Sequence, residues 1–249
     1  MKLFFSEFTA DYESYSYPYQ VCGVKEPKDT LKLIYDNGFL PTRIDKRLFY
    51  LCRSFRVDLR KFKLSSENRR IQKRNSSLSL EVHRLKNFTY SYEIGKLAKD
   101  FYTEKFGPKT MSAQKAKWLF TSGAMTDVIE YKTDGYIVGY CLVNKTKKIL
   151  HYAYPFYKLE LNNSNLGMGM MLQAIVYAKE KGLRYAYLGT VYTEASLYKT
   201  QFEGGQFFNG RAWDSDISLL KEIVRNKKTT GHTFGELKNK SDAIDAILK

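Results

Sequence analysis

Two strands, an amphipathic helix and a third strand follow one another in the carboxyl half, and this order constrains the fold most. Residues 135–143, GYIVGYCLV, are apolar at both parities, which is typical of a strand inside a sheet. A turn at residues 144–146 and a second strand over residues 149–156 should follow. Residues 168–181 predict a helix with one apolar stripe, and residues 183–188 predict a buried strand. The chain should therefore form an α/β fold in which helices cover a mixed sheet.

The remaining pattern predicts two domains and a tail. A helix ending at Asn37-Gly38 and the basic strand after it predict a small amino-terminal α+β unit. Two further helices, one ending before Gly107-Pro108 and one starting at Ser112, begin the larger domain. The stretch KKTTGHTFGELKNK is polar and precedes a short helical piece. We expect domain limits at residues 1–80 and 81–225, with a tail over residues 226–249.

A basic segment carries most of the net charge. Between Arg43 and Arg74 there are twelve basic residues and three acids, so nine of the fifteen net charges fall within thirty-two residues. One parity of a predicted strand is apolar at Phe49, Leu51, Phe55, Val57 and Leu59, which places Arg56 and Arg60 on the opposite, charged face. Arg53 falls among the apolar set and needs a partner or an edge. Ser65 or Ser66 can cap the next helix, whose three- and four-residue spacing aligns four cations, Arg69, Arg70, Lys73 and Arg74.

Two interpretations of these cations stay open. Charge runs commonly form a solvated surface face. Arginine also binds phosphate through paired hydrogen bonds, and a helix amino terminus nearby adds a favourable dipole. The second interpretation predicts a polyanion-binding surface formed by Arg56 together with Arg69, Arg70, Lys73 and Arg74. We call the last four the basic stripe.

Other protein classes are not favoured by the sequence. The segment MKLFFSEFTADYES has a short apolar run broken by Glu7 and Asp11, so we expect no signal peptide, no membrane span and a cytoplasmic location. The cysteines and histidines lack zinc spacing, so we expect no metal and no disulfide framework among Cys22, Cys52, Cys141, His83, His151 and His232.

Five stretches together resemble one protein family. They are YDNGFLPTR, LFYLCRSFRVDLRKFKLSSENRRIQKRN, NLG at residues 165–167, YLG at residues 187–189 and YKTQF at residues 198–202. In order and spacing they resemble the arginyl-tRNA–protein transferase family, including its bacterial leucyl- and arginyl-transfer relatives. That resemblance implies an enzyme that moves an amino acid from its tRNA to the amino-terminal amine of a protein, in the manner of an N-degron pathway.

The same resemblance implies a fold and a set of partners. The fold would be α+β or α/β, with the small amino-terminal unit followed by an acetyltransferase-like (GNAT) domain. The partners would be an aminoacyl-tRNA and an acceptor amino terminus, with no DNA. Members of the family often carry an amino-terminal cysteine cluster that can hold an iron–sulfur centre. Only Cys22 lies in that neighbourhood here, so we expect no cofactor, and the sequence predicts no membrane partner.

The resemblance also places the chemistry around residues 187–202. Backbone N–H groups near Gly189 would face the developing oxyanion, and Lys199 would hold a phosphate or the terminal ribose. Tyr187 and Tyr198 would offer hydroxyls and stacking faces to the terminal adenine. Glu194 would accept a proton from the amine or hold a cationic side chain. Each residue also has a structural alternative, namely core packing for the tyrosines, snorkelling for Lys199 and a helix-dipole contact for Glu194.

Gly167 and Gly169 lie in the loop NNSNLGMGM before the predicted helix. In acyl-CoA acetyltransferases such a loop cradles pyrophosphate through backbone N–H groups. In the family resembled here, the same place would receive the 3′ end of the tRNA, together with Asn165 and Tyr154. Alternatively, the two glycines only permit a tight turn.

Two positions depart from the family pattern. Thr190-Val191 replaces an aromatic pair after YLG, and Tyr154-Pro155 lacks the Asp of a YDP element. The sequence therefore leaves the transferred amino acid open. Three hypotheses follow, namely an aminoacyl-tRNA–protein transferase, an acyl-CoA-dependent N-acetyltransferase, and a non-catalytic tRNA-binding relative.

Overall fold

A computed structural model describes residues 1–7 and 19–225 of the chain. The predicted tail at residues 226–249 lies outside the described residues. The chain divides into two compact units, which are Met1–Ser54, Thr190–Tyr198 and Phe207–Lys249 for the first, and Phe55–Gly189 and Lys199–Gln206 for the second. These units do not follow the predicted domain limits, because the basic segment is divided after Ser54.

The described residues contain strands β1 (Lys2–Glu7), β2 (Tyr19–Val24), β3 (Phe39–Pro41), β4 (Leu48–Leu51), β5 (Ser54–Asp58), β6 (Leu78–Arg84), β7 (Asp127–Thr133), β8 (Tyr136–Lys145), β9 (Ile149–Tyr157), β10 (Tyr185–Thr190), β11 (Gly205–Phe208) and β12 (Trp213–Asp214). The α-helices are α1 (Leu31–Asp36), α2 (Ser66–Arg74), α3 (Tyr92–Phe106), α4 (Ala113–Thr121), α5 (Leu166–Glu180) and α6 (Ile217–Arg225). In the same described part of the chain, three 3-10 helices cover Leu85–Asn87, Leu159–Ser164 and Glu194–Gln201.

The first unit contains an antiparallel sheet in the order β1-β2-β4-β3. The Thr30 side chain caps α1 by accepting from the Leu33 N–H, and Asn37 ends the helix. Gly38 follows at φ +81°, where a Cβ would collide with the Phe208 ring. The predicted helix and its Asn37-Gly38 stop are therefore confirmed.

The second unit is built on a larger mixed sheet in the order β11-β5-β10-β9-β8-β7-β6. Strands β6 to β9 form an antiparallel meander, and β10 joins β9 in parallel after the crossover through α5. Met170, Leu172 and Ile175 of α5 are buried against this sheet, and the Tyr131 hydroxyl donates to the Met170 carbonyl over 2.9 Å. The expected acetyltransferase-like order of meander, helix and parallel strand is thus confirmed.

Local details of this unit match the sequence with small shifts. Ser65 caps α2, since its hydroxyl accepts from the Asn68 N–H over 3.1 Å. Ser112 caps α4 in the same manner. The hairpin turn lies later than predicted, because β8 continues to Lys145 and the Thr146 N–H bonds to the Ile149 carbonyl.

The predicted strand through Phe49 and Leu59 is wrong as one continuous element. It breaks at Cys52 and Arg53 into β4 and β5, which belong to different sheets. All five residues of β5 are buried because the strand is internal to its sheet, with β11 and β10 as neighbours. Arg56 therefore does not lie on a charged outer face.

Candidate functional site

The parallel strands β9 and β10 pair over only part of their length. Their register runs from Tyr185 opposite Ile149 to Tyr187 opposite His151, whereas β9 continues to Tyr157 and β10 to Thr190. Ligands of open α/β sheets bind outside the carboxyl ends of parallel strands. A ligand site is therefore expected at the carboxyl end of this pair.

Lys199 and Gly189 meet at the end of β10. Gly189 has φ +84°, a conformation that favours glycine, and a Cβ there would lie 3.6 Å from Lys199 Nζ. The backbone thus changes direction beside an ammonium group. The structure brings together these two predicted residues, and both belong to the second unit.

His151 is a residue that sequence reasoning did not place in the site. It is buried, and burial, with the positive charge of Lys199 as a second cause, lowers its pKa to about 3. The imidazole is therefore neutral near pH 7 and adds no charge beside Lys199. A single histidine forms no motif in the sequence. Only its position opposite Tyr187 shows that it lies near the site.

Tyr187 is a core residue, which contradicts the predicted stacking role. Its side chain is 0% exposed, so it offers no face to a nucleobase. Its hydroxyl accepts from Arg56 Nη1 over 3.2 Å, and the Arg56 guanidinium lies 3.7 Å from the centroid of the Tyr185 ring. Arg56 Nε also donates to Gln206 Oε1 over 2.9 Å. Arg56 thus stabilises β5 and β10 from within and does not extend the basic stripe.

Glu194 and Tyr198 lie on the 3-10 helix Glu194–Gln201 and belong to the first unit. Both are exposed, with Tyr198 at 45% exposure. The Tyr198 ring is therefore available to a ligand, unlike that of Tyr187.

The two glycines of α5 are required by packing. A Cβ at Gly167 would lie 2.7 Å from the Tyr157 hydroxyl, and one at Gly169 would lie 2.6 Å from Asn75 Cγ. The Gly169 N–H already bonds to the Asn165 carbonyl over 3.1 Å. Asn165 is the left-handed residue at φ 58° that starts the helix. These contacts favour the tight-turn interpretation over a phosphate cradle at Gly169.

Tyr154 lies farther along β9, half-buried and opposite Leu142 of β8. The four cations of the basic stripe are all exposed on α2. Arg70 pairs with Glu67 over 2.8 Å, and this hydrogen bond raises the pKa of Arg70 and lowers that of Glu67. Arg69 Nη1 donates to the Leu64 carbonyl over 2.7 Å. The surface prediction for the basic stripe agrees with the structure, whereas Arg56 does not belong to it.

Metal-ligating groups come together at one place among the described residues. Glu81, His83 and Glu130 place their ligand atoms within 4.8 Å of one another on β6 and β7. The Lys132 ammonium lies 2.9 Å from Glu130 and 3.3 Å from Glu81. That ammonium pairs with both carboxylates, which gives the cluster an ion-pair role.

Within residues 1–7 and 19–225, the helices are too short or too polar to cross a bilayer. The three cysteines are buried, and burial raises the pKa of Cys22 to about 11.

The chain is similar to known proteins over this region. A family model described as arginine-tRNA-protein transferase, C terminus, matches residues 83–209, slightly more than half of the 249 residues. An aspartate/glutamate leucyltransferase of Ruegeria pomeroyi is 27% identical over 169 residues, covering 66% of this chain and 62% of that protein. One from Brucella anthropi is 26% identical over 177 residues, covering 65% and 71%, respectively. The chain thus spans less than two thirds of the Ruegeria protein.

Similarities among solved structures are weaker. L-PGS from Bacillus licheniformis is 12% identical with a TM-score of 0.46, over 82% of this chain and 72% of that chain. A GNAT family acetyltransferase from Elizabethkingia anophelis is 16% identical with a TM-score of 0.35, over 50% and 73%. At these scores neither likeness adds to what the sheet topology shows.

Proposed function

This chain belongs to the family described as arginine-tRNA-protein transferase, C terminus, and from that premise we propose that it transfers an amino acid from charged tRNA to the amino terminus of a protein. The observation that carries the proposal is Lys199 Nζ beside Gly189 at the carboxyl end of β10, inside the matched region.

The proposed reaction is aminolysis of an ester. The acceptor's neutral α-amine attacks the ester carbonyl, a C–N bond forms, and the bond to the ribose oxygen breaks. The amine loses a proton and the ribose oxygen gains one. Because the ester is already activated, alignment supplies much of the rate, on the order of 7 kcal/mol or more. A nucleophilic side chain is unnecessary.

Lys199 has the position for electrostatic assistance. Its ammonium lies beside the Gly189 backbone, where N–H groups would face the negative oxygen of the tetrahedral intermediate. Because the His151 imidazole is neutral, it adds no second positive charge beside Lys199. In the proposal Lys199 binds the oxyanion or the nearest phosphate of the tRNA end.

Two exposed residues of the first unit have proposed roles of their own. Tyr198 would stack on the terminal adenine, which its exposure permits. Glu194 would take the proton of the attacking amine or bind a cationic side chain of the donor. Tyr154 and Asn165 keep the proposed contact with the tRNA end, whereas Gly167 and Gly169 only permit the close packing at the start of α5.

The basic stripe is proposed to bind the tRNA backbone. Its four cations are exposed along α2 and can contact successive phosphates. Charged tRNA is a cytoplasmic substrate, so we propose that the protein acts in the cytoplasm. Arginine or leucine is the proposed donor amino acid, and an N-degron substrate is the proposed acceptor.

A transfer assay tests the proposal. Purified protein receives arginyl- or leucyl-tRNA and a peptide that begins with Asp or Glu, and mass spectrometry should show one added residue at the amino terminus. The matched control is the same peptide with an acetylated amino terminus, which should stay unchanged.

The other two hypotheses have distinct outcomes in the same assay. An acetyl-CoA-dependent enzyme would add an acetyl group when acetyl-CoA replaces the charged tRNA. A non-catalytic relative would bind tRNA and modify no peptide with any donor. Either result would refute the proposed transfer.

A further inference from the structure

A groove lies beside the basic stripe, within the second unit. It has a volume of about 310 Å³ and is bounded by α2, the start of β6 and one face of α5. This volume is at the lower end of the range of about 300–1,000 Å³ typical of small-ligand sites. Its polar lining comes mainly from Gln72, Asn75, Gln173, Tyr177 and Glu180.

Cations flank this groove on two sides. Gln72 lies on α2 among the cations of the basic stripe, next to Lys73. On another wall, Tyr177 has Lys145 Nζ at 5.8 Å and Lys181 Nζ at 5.7 Å from its ring centroid. A polyanion that contacts the basic stripe can therefore continue across the groove to Lys145 and Lys181.

The interior of the groove does not suit a phosphate. Its polar side chains are neutral amides and the hydroxyls of Ser79 and Tyr177, together with the Glu180 carboxylate, which would repel an anion. The Gln173 amide donates to the Leu78 carbonyl, and Gln173 Oε1 is a buried acceptor without a hydrogen-bond partner among the described residues. Acceptors and an aromatic ring instead suit a planar group that carries N–H donors.

We propose that this groove binds a nucleobase of the tRNA whose phosphates contact the basic stripe. The base lies against the Tyr177 ring and donates its exocyclic amino group to Glu180 and the amides. Adenine, cytosine and guanine carry such a group and uracil does not. This inference rests on the proposed function, since it takes tRNA as the ligand.

Salt dependence separates base contacts from phosphate contacts. Each phosphate contact contributes about −0.9 to the slope of log K against log salt concentration on a duplex, and a stacked base contributes affinity without changing the slope. We expect Tyr177→Ala and Gln72→Ala to weaken tRNA binding, about tenfold for Tyr177→Ala, at an unchanged slope. Arg69→Ala should reduce the slope by about one. Tyr136→Ala serves as the matched control, because Tyr136 is 78% exposed on a hairpin of the same unit.

A direct probe uses mononucleotides. AMP, CMP and GMP should shift the NMR signals of Tyr177 and compete with tRNA, whereas UMP should do so more weakly. Glu180→Gln should reduce this difference. Gln72 is exposed on α2, so Gln72→Ala keeps the test valid if the Tyr177 variant loses stability.

Three results would contradict the inference in different ways. A slope that falls equally for Tyr177→Ala and Arg69→Ala would assign a phosphate to the groove. Unchanged tRNA affinity in both groove variants, with the wild type binding tRNA, would leave the proposed function intact and reject the base site. Failure of the wild type to bind any tRNA would reject the proposed function itself.

Discussion

Two parts of one basic segment differ completely in their surroundings. Arg56 in β5 is 6% exposed and contacts Tyr185, Tyr187 and Gln206, whereas the cations of the basic stripe on α2 are all exposed. The strand has a neighbouring strand on each edge, and all five of its residues are buried, so both of its faces are covered as well. The helix buries Asn68 and Ile71 and leaves its other sides to solvent. A run of positive charge can therefore contain both a structural cation and a binding surface.

Removal of the buried cation tests the structural half of this comparison. Arg56→Ala should lower the free energy of unfolding by about 3 kcal/mol, because Tyr187 and Gln206 lose a charged donor and two aromatic rings lose a stacked guanidinium. Urea unfolding measures the change. Arg60→Ala is the control, since Arg60 is exposed two residues after β5 and should change stability by less than about 0.5 kcal/mol. Equal effects would show that Arg56 has no structural role.

Removal of the Lys199 ammonium tests the reacting end of β10. An oxyanion contact predicts that Lys199→Ala lowers kcat/KM for transfer about 100-fold with tRNA binding little changed, because that contact strengthens in the transition state. A phosphate contact predicts that tRNA binding weakens as well. The control is Lys99→Ala, an exposed lysine of α3. A variant with full transfer activity would remove Lys199 from the mechanism.

His151 is a second buried basic group, and its titration makes the stability of the folded protein depend on pH. Its pKa is lowered to about 3 in the folded protein from an ordinary value of 6.5, so between these values the unfolded chain binds more protons. The stability that comes from keeping this imidazole neutral is complete above about pH 6.5 and is lost as pH falls towards 3. At pH 5 the loss should be about 2 kcal/mol relative to pH 7.5.

Urea unfolding at pH 7.5 and pH 5 checks this expectation. His151→Gln should remove that part of the pH dependence, whereas His83→Gln, at a half-buried histidine, serves as control. An identical pH profile in wild type and His151→Gln would contradict the assigned burial effect.

Substitutions in the exposed basic stripe should have the smallest effect on the protein. Arg69→Glu combined with Arg74→Glu should leave stability within about 0.5 kcal/mol, weaken tRNA binding about tenfold at moderate salt and flatten its salt dependence. Filter binding across a salt series measures this. Lys99→Glu with Lys105→Glu, on α3, carries the same charge change and should leave tRNA affinity nearly unaltered. If both pairs weaken binding equally, only net charge matters.

The sequence predicted those elements in which the periodic pattern of apolar residues is long and the ends carry capping residues. The strands β8, β9 and β10 and the helix α5 lie where predicted to within a few residues, and Ser65 and Ser112 cap the expected helices. The break between β4 and β5 was missed because Phe49 and Leu51 before it keep the same parity as Phe55 and Val57 after it, and Arg53, the charged residue at that parity, was taken as an exception within one strand. The burial of Arg56 was missed for a related reason. Parity assigns a side to a residue, whereas neighbouring strands and helices decide whether that side is covered.

Residues of the site also differ in whether the sequence could predict their positions. The closeness of Lys199 and Gly189 follows a motif and could be expected, although the sequence could not give the left-handed backbone that brings them together. His151 is a single histidine in an apolar strand, and only the register between β9 and β10 places it near Lys199. Residues from distant segments meet through topology, which short-range patterns do not encode.

The most direct test of the central proposal is the mass of a peptide after one reaction. A peptide beginning with Asp or Glu is incubated with the wild-type protein and arginyl- or leucyl-tRNA, and its amino-terminal sequence is read by tandem mass spectrometry. The proposal predicts one arginine or leucine joined to the α-amine. An unmodified peptide with every charged tRNA, from a protein that is folded, would contradict it.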